Sequence, residues 1–204
     1  MFDIANMNFY FGVMGRAKSA TLLIQQYNEK EKGMSPLLLK SSKDDRDGVQ
    51  YISSRIEKLK EEAIPVTKYT NIYKLVQDKL ENNIKITSIY YDEIQFDSKE
   101  NLYQLRKIAN DFDIEVNVFG LKSDFLTDPF EGSIFAFVLS DNMTELPSKC
   151  SCGNKANFNL RLDENNKPIF NGNKIQVGKS YIGVCPTCYF KMLKDSRKES
   201  KSNE

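Results

Sequence analysis

The chain has 204 residues, of which 29 are basic and 28 acidic, and it contains no histidine. This length predicts one ordinary domain, or one domain with a small extra module, and the near-neutral charge argues against a broad nucleic-acid-binding surface. The first residues lack a basic start, and no apolar run approaches about 18 residues. We therefore expect a cytoplasmic protein without signal peptide or membrane span. Without histidine, a general base must be a carboxylate or a rarer group, and metal ligands must come from Cys, Asp or Glu.

Strands and helices are predicted to alternate over residues 1–146. Short apolar runs predict strands at residues 9–11, 36–40, 84–91 and 114–121. Helical periodicity predicts helices at residues 18–31, 71–80, 100–111 and 132–139, with Gly33 as the cap of the first. The acidic stretch 41–50 is typical of a loop. Such alternation favours an α/β fold whose parallel sheet is covered by helices on both faces, with ligands at the carboxyl ends of the strands.

The character of the sequence changes near Pro147. The stretch 150–189 is rich in Asn, Gly and Lys and carries all four cysteines at its two ends. We predict a second, smaller module at residues 147–190. Residues 191–204 are charged and lack apolar spacing, so we expect a mostly solvated or disordered, flexible tail.

The segment 12–19, GVMGRAKS, nearly matches the phosphate-binding pattern G-x-x-x-x-G-K-[ST]. It lies between a predicted strand and a predicted helix, which would point backbone N–H groups and a helix N-terminus at an anion. Lys18 would reach the outer phosphates and Ser19 would bind Mg²⁺. Ala17 replaces the second glycine, and we expect Gly15 to supply the missing backbone freedom. On the loop alone, an ordinary strand–turn–helix junction is an equal alternative.

Asp92 and Glu93 end the predicted strand 84–91. A P-loop protein needs such a pair, because the Asp can hold Mg²⁺ and the Glu can take a proton from an attacking hydroxyl. A solvated acidic turn is the alternative, and the position at a strand end after the phosphate loop favours the functional interpretation.

Four cysteines form two close pairs, Cys150-x-Cys152 and Cys185-x-x-Cys188. Four thiolates in this arrangement predict a tetrahedral, structural Zn²⁺ site with no position left for water. Two disulfides or four buried thiols are the alternatives, and a reducing compartment favours zinc.

Taken in order, these motifs resemble one family, the type II thymidine kinases. The resemblance rests on D-E-x-Q-F at residues 92–96, on G-L-x-x-D-F-x-x-x-P-F at 120–130 and on D-x-R at 44–46. It also includes the cysteine segment with Arg161-Leu162, Gly178 and Tyr181. It implies a RecA-like P-loop domain with a zinc-binding lasso, usually a homotetramer, which transfers the γ-phosphate of ATP to thymidine. It further implies dTTP as a feedback inhibitor, and neither a nucleic acid nor a membrane as partner.

The resemblance also implies roles for individual residues. Glu93 would be the general base, and the four cysteines would bind zinc. ATP and its phosphates would contact Gly12, Met14, Gly15, Arg16, Ala17, Lys18, Ser19, Asp92 and Gln95, with Mg²⁺ on Ser19 and Asp92. The nucleoside would contact Met14, Asp44, Arg46, Phe96, Leu121, Phe125, Phe130, Asn159, Val177, Gly178 and Tyr181.

The chain departs from the family pattern at three positions. Arg16 and Ala17 replace the serine and glycine of the family's phosphate loop, and Asn159 stands where many members have Thr. The leading hypothesis is a kinase acting on thymidine or deoxyuridine in nucleotide salvage. The second is a catalytically weakened paralogue that senses or sequesters thymidine or dTTP. A zinc-ribbon nucleic-acid binder is a third hypothesis, disfavoured by the neutral charge.

Overall fold

The computed structural model describes residues 5–15, 17–54, 59–173 and 180–202. The strands are β1 (Met7–Phe11), β2 (Pro36–Ser41), β3 (Tyr51–Ser53), β4 (Lys60–Glu62), β5 (Ile64–Val66), β6 (Ser88–Asp92), β7 (Glu115–Gly120), β8 (Asn142–Glu145), β9 (Phe158–Leu162), β10 (Pro168–Ile169) and β11 (Ser180–Val184). The helices are α1 (Lys18–Glu31), α2 (Ile72–Glu81), α3 (Lys99–Phe112), α4 (Glu131–Leu139) and α5 (Pro186–Ser202), with one 3₁₀ turn at Ile94–Phe96.

The main sheet has six strands in the order β5-β2-β6-β7-β1-β8, and every neighbouring pair is parallel. Helices cover both of its faces. Tyr90 packs with Leu22 and Leu23 of α1 on one face, while the next residue, Tyr91, packs with Leu102 and other residues of α2, α3 and α4 on the opposite face. The predicted α/β fold with a parallel sheet flanked by helices is confirmed.

Four strands of the main domain were not predicted from the sequence. These are β3, β4, β5 and β8, each of three or four residues, and β4 and β8 are largely polar and exposed. They carry no alternation of apolar side chains, so only pairing with distant strands defines them. The predicted strand 84–91 begins only at Ser88, because residues 84–87 are not part of the paired ladder; Ile84 is 48% exposed, although Ile86 is buried.

The smaller module contains an antiparallel sheet in the order β10-β9-β11, followed by α5. Its core brings Leu160 and Val184 together with Cys150, Cys185 and Tyr189. The sequence predicts a mostly solvated or disordered tail from residue 191; α5 continues through Ser202, so this segment is helical, and its flexibility stays a prediction. Charged residues dominate this part of the helix and leave much of it exposed, which explains why apolar spacing did not reveal it. The boundary at residues 146–147 stays a prediction.

Within the described residues, no helix combines the length and the apolar character that crossing a membrane requires.

Candidate active site

The phosphate-loop segment connects β1 to α1 at the carboxyl end of the sheet. Gly15 has φ 74°, as the predicted need for backbone freedom requires, but Ala17 also has a positive φ of 29°. Ala17 is the residue before α1, and no side chain caps this helix there. Because an L-residue resists such a φ, the loop carries backbone strain at the position where the pattern has glycine. Arg16 lies outside the described residues.

Lys18 and Ser19 occupy the first turn of α1. The Lys18 ammonium is buried and donates to the Val13 carbonyl at 3.0 Å. The Ser19 hydroxyl donates to the Asp92 Oδ2 atom at 2.6 Å. A hydroxyl and a carboxylate oxygen so close together are the kind of hard ligands that Mg²⁺ binds beside a phosphate. The residues predicted to bind Mg²⁺ are therefore brought together.

Asp92 is the last residue of β6 and is 3% exposed. Burial, and next the charge of Glu93, raise the pKa of the Asp92 carboxyl to about 7. Ser19, Lys18 and the backbone N–H of Glu93 act in the opposite direction, and that N–H donates to Asp92 Oδ1 at 3.0 Å. The carboxyl is thus costly to ionise without a cation near it.

Glu93 follows Asp92 with a left-handed backbone, φ 59° and ψ 39°. This conformation is uncommon for a glutamate and breaks the strand so that the side chain turns along the sheet edge. Arg46 donates to Glu93 Oε1 at 2.7 Å, and the Gln95 amide donates to Glu93 Oε2. The Leu121 N–H in turn donates to Gln95 Oε1 at 3.0 Å. Both carboxylate oxygens of Glu93 are therefore held in place.

Gln95 links the ends of β6 and β7, because its amide bonds both to Glu93 after β6 and to Leu121 after β7. Gly120 permits this link, because a Cβ at that position would be 2.7 Å from Gln95 Oε1. Gln95 was predicted among the residues that contact ATP. Its hydrogen bonds to Glu93 and Leu121 instead orient the candidate base, and its direct role toward ATP stays a prediction.

A network of charges joins the loop after β2 to Glu93. Arg46 Nε donates to Asp44 Oδ1 at 2.6 Å, and the buried Lys40 ammonium lies 3.2 Å from Asp44 Oδ2. Burial acts to raise the pKa of Asp44, but hydrogen bonds and charges from Arg46 and Lys40 outweigh it and lower that pKa. Sequence reasoning missed Lys40, although a lysine that ends the apolar run PLLL was a usable signal.

These groups surround one cavity of about 570 Å³. It is lined by Gly15, Ala17, Lys18, Ser19, Ala20, Lys40, Asp44, Arg46, Asp47, Ser53, Ser54, Asp92 and Glu93. The cavity thus brings cations, carboxylates and the N-terminus of α1 together, which suits a phosphate group with a divalent cation. The hairpin residues Ser53 and Ser54 had no sequence signal.

The aromatic residues predicted to contact the nucleoside pack against one another. Phe125 is buried and stacks under the Arg161 guanidinium, whose Cζ atom is 3.8 Å from the ring centre. Tyr181 meets the Phe125 ring edge-on at 6.5 Å. Phe96 and Phe130 meet edge-on at 5.8 Å. The predicted aromatic residues therefore form two pairs.

Four other predicted nucleoside contacts remain. Leu121 follows β7 and is buried. Asn159 is held by the phosphate loop, because its Oδ1 accepts from the Met14 N–H at 2.7 Å. Val177 and Gly178 lie outside the described residues. The sequence analysis used Arg161 only as part of the family resemblance and gave it no role.

The four cysteines converge on one point. Their sulfur atoms all lie within 4.8 Å of one another, and Cys152 Sγ is 3.6 Å from Cys185 Sγ. Tetrahedral zinc with sulfur ligands at about 2.3 Å requires separations of this size. The three other thiols raise the pKa of Cys188 to about 12, so four thiolates need a cation among them. The group can hold a metal such as zinc.

Comparison with known proteins agrees with this geometry. A model of the family described as thymidine kinase matches residues 5–189. The chain belongs to the thymidine kinase family. The thymidine kinase of Coxiella burnetii is 36% identical over 184 residues, which cover 89% of this chain and 93% of that protein. Those of Aliivibrio fischeri and Vibrio vulnificus are 37% and 38% identical over 192 residues, covering 93% of this chain and 99% of each relative.

Membership of the thymidine kinase family includes both parts of the molecule, because the matched segment runs from before β1 into α5. The helix beyond residue 189 lies outside the match. Among solved structures, the Pif1 helicase of Candida albicans covers 69% of this chain and 36% of its own, at 16% identity with a TM-score of 0.41. That likeness is too low to bear on fold or function.

Proposed function

We propose that this protein transfers the γ-phosphate of ATP to the 5′-hydroxyl of thymidine, or of deoxyuridine, giving the monophosphate in nucleotide salvage. The observation that carries the proposal is the position of Glu93 beside Lys18, Ser19 and Asp92 around one cavity. Phosphoryl transfer needs positioned phosphates, a cation and a base near the hydroxyl, and little covalent work from the protein. Family membership supports the same activity.

The phosphates of ATP would lie against the start of α1. Lys18 would keep its bond to the Val13 carbonyl and donate further N–H groups to the outer phosphates, and the first N–H groups of the helix would face them. Mg²⁺, when bound, would neutralise charge between the phosphates. Ser19 and Asp92 would hold that cation, since their oxygens already lie 2.6 Å apart.

Glu93 would accept the proton of the attacking 5′-hydroxyl. Gln95 is buried and keeps its hold on Oε2, whereas the Arg46 side chain is 39% exposed and free to leave Oε1. Arg46 would then turn toward the transferred phosphate and leave Oε1 to the hydroxyl. On the nucleoside side, Phe125 under Arg161 and the neighbouring Tyr181 would enclose a flat base.

The test is an assay of ADP release with Mg²⁺ and ATP, comparing thymidine, deoxyuridine, deoxycytidine and no nucleoside. ADP release that depends on thymidine is the expected result. Glu93→Gln should preserve nucleoside binding and lower turnover by about 10²-fold or more, because it keeps the shape and removes the base. Full turnover in this variant would remove Glu93 from the role.

A second candidate is a weakened paralogue that binds nucleotides without efficient turnover, and the strained Ala17 favours it. The double substitution Arg16→Ser with Ala17→Gly restores the family's loop. A large gain in turnover would mean that the loop has decayed. No gain, or a loss, would mean that the loop is adapted and that the kinase is the better conclusion.

Regulation and assembly belong to the same proposal. A thymidine triphosphate would offer its base to the aromatic residues and its phosphates to Lys18, which supports dTTP as a feedback inhibitor. Exposed apolar side chains on α4 and β8 support a homotetramer, among them Ile134, Val138 and Met143. Four reduced cysteines fit a reducing compartment such as the cytoplasm.

A further inference from the structure

The side chain of Asn159 joins three separate segments of the molecule. Asn159 lies on β9 of the smaller module and is 2% exposed. Its Oδ1 accepts from the Met14 N–H of the phosphate loop at 2.7 Å, and its Nδ2 donates to the Ser123 carbonyl at 2.9 Å. The contact with Ser123 fixes which end of the amide faces Met14, because only Nδ2 can donate to a carbonyl.

The bond to Met14 acts on the same peptide unit that holds Lys18. The N–H of Met14 and the C=O of Val13 belong to one planar peptide, so they point in opposite directions and turn together. The carbonyl accepts from the Lys18 ammonium at 3.0 Å while the N–H donates to Asn159. A rotation of this peptide would therefore move the anchor of Lys18.

Packing fixes the same peptide from a second side. Val13 is 3% exposed and belongs to the apolar core of the smaller module, with Ala156 and Val184. Gly183, which pairs with Asn159 across β9 and β11, leaves the space that Val13 fills, because a Cβ there would be 2.6 Å from Val13 Cγ2. The start of the phosphate loop is thus seated on the smaller module.

We propose that Asn159 is a positioning residue of the phosphate site, which holds the Val13–Met14 peptide so that Lys18 is placed for phosphate. This differs from the nucleoside contact expected from the sequence, since both polar atoms of the amide already have partners within the protein. It makes the metal-binding module part of the ATP site. The inference rests on the proposed function for the identity of the ligand, and on geometry for the rest.

The experiment measures binding of a non-hydrolysable ATP analogue with Mg²⁺, by calorimetry and without nucleoside. Asn159→Ala should weaken this binding about tenfold, as expected when a buried N–H loses its acceptor. Thymidine affinity should change much less. Asn159→Thr keeps a strand-forming residue but shortens the side chain, so it should also weaken binding of the ATP analogue. This variant replaces the alanine variant if the latter does not fold.

A double-mutant cycle with Lys18 separates positioning from general loss of stability. If Asn159 acts through Lys18, the substitution Asn159→Ala should have little further effect in a Lys18→Ala background. Leu193→Ala is the matched control, because Leu193 lies on α5 and packs, partly buried, against the module core without belonging to β9 or the phosphate loop. It should lower the melting temperature and leave nucleotide affinity near that of the unaltered protein.

The outcomes separate this inference from the proposed function. Unchanged nucleotide affinity in the Asn159 variants, or additive effects in the cycle, would overturn the positioning role even in an active kinase. Weakened thymidine affinity with normal nucleotide affinity would overturn it in favour of a nucleoside contact. Nucleotide binding that depends on Asn159 in a protein without turnover would sustain the inference and reject the kinase. No nucleotide binding by the unaltered protein would overturn both.

Discussion

The phosphate half and the nucleoside half of the candidate site are held together by different forces. In the phosphate half, Asp92 and Lys40 are register partners on adjacent strands, and Ser19 reaches Asp92 from the first turn of α1. In the nucleoside half, Phe125 is covered by Arg161 and Tyr181 from a module with a small sheet and four cysteines. The sheet therefore stabilises most of the phosphate half, to which the smaller module adds the Asn159–Met14 bond, and we expect the cysteine site to stabilise the nucleoside half.

Metal removal tests this difference with the largest expected effect. Chelation, or Cys188→Ser, should abolish thymidine-dependent turnover, because the module that covers Phe125 has too small a core to stay folded alone. The main sheet should survive, so the far-ultraviolet circular dichroism should largely persist. Zinc analysis by mass spectrometry should find one ion per chain before treatment.

Lys155→Ala is the control for that treatment. Lys155 lies in the same module and pairs with Glu145 at the surface, where an ion pair contributes about 0–1 kcal/mol. This variant should keep its metal and its turnover. Metal-free protein with normal turnover would contradict the division of the site into a half held by the sheet and a half held by metal.

Arg161→Lys should affect the nucleoside half alone. Arg161 stacks on Phe125, donates to the Asn173 carbonyl at 3.0 Å and also donates to the Asn171 carbonyl. A lysine cannot stack as a plane or reach both carbonyls, so the KM for thymidine should rise roughly tenfold. Affinity for the ATP analogue should stay within a factor of about two, since Arg161 holds Phe125 and the carbonyls of Asn171 and Asn173. Equal losses of affinity for thymidine and for the ATP analogue would show that the two halves are not separable.

The same difference explains what could be predicted from the sequence. The phosphate half is encoded locally, in consecutive residues at the ends of apolar runs, so Lys18, Ser19 and Asp92 were found and are close together. The apolar periodicity also predicted the four long helices of the main domain. Arg161 over Phe125 and the Asn159–Met14 bond join residues far apart in sequence, and no periodic pattern encodes such contacts. The short strands escaped because only pairing with distant strands defines them, and the charged end of α5 escaped because it lacks apolar spacing.

Ala17→Gly tests strain within the phosphate half and should have a smaller effect. Removing the Cβ at φ 29° should stabilise the folded protein by about 1 kcal/mol, which corresponds to a rise in melting temperature of about 2–4 °C. Ala20→Gly is the matched control, since Ala20 lies inside α1 and the same change there should lower stability by about 1 kcal/mol. A destabilising Ala17→Gly would mean that the loop is relaxed around alanine.

The smallest expected effect is the release of a proton from Asp92 when Mg²⁺ binds with ATP. Its pKa in the folded protein is about 7 against an ordinary value of 3.8, so between these pH values the folded state binds a proton that the unfolded state lacks. This contribution to stability is present below pH 3.8 and is lost as pH rises through 7. Mg²⁺ requires the ionised carboxylate, and its binding with ATP near pH 6.5 should therefore release a proton.

Calorimetry in two buffers of different ionisation enthalpy measures that release. Less than one proton per bound ATP should be released near pH 6.5, and almost none at pH 8, where Asp92 is already ionised. Asp92→Asn should remove the difference between the buffers, whereas Asp44→Asn should preserve it, because the cations around Asp44 lower its pKa and keep it ionised at both pH values. Proton release that survives in Asp92→Asn would assign the titration to another group and leave the cation without its proposed ligand.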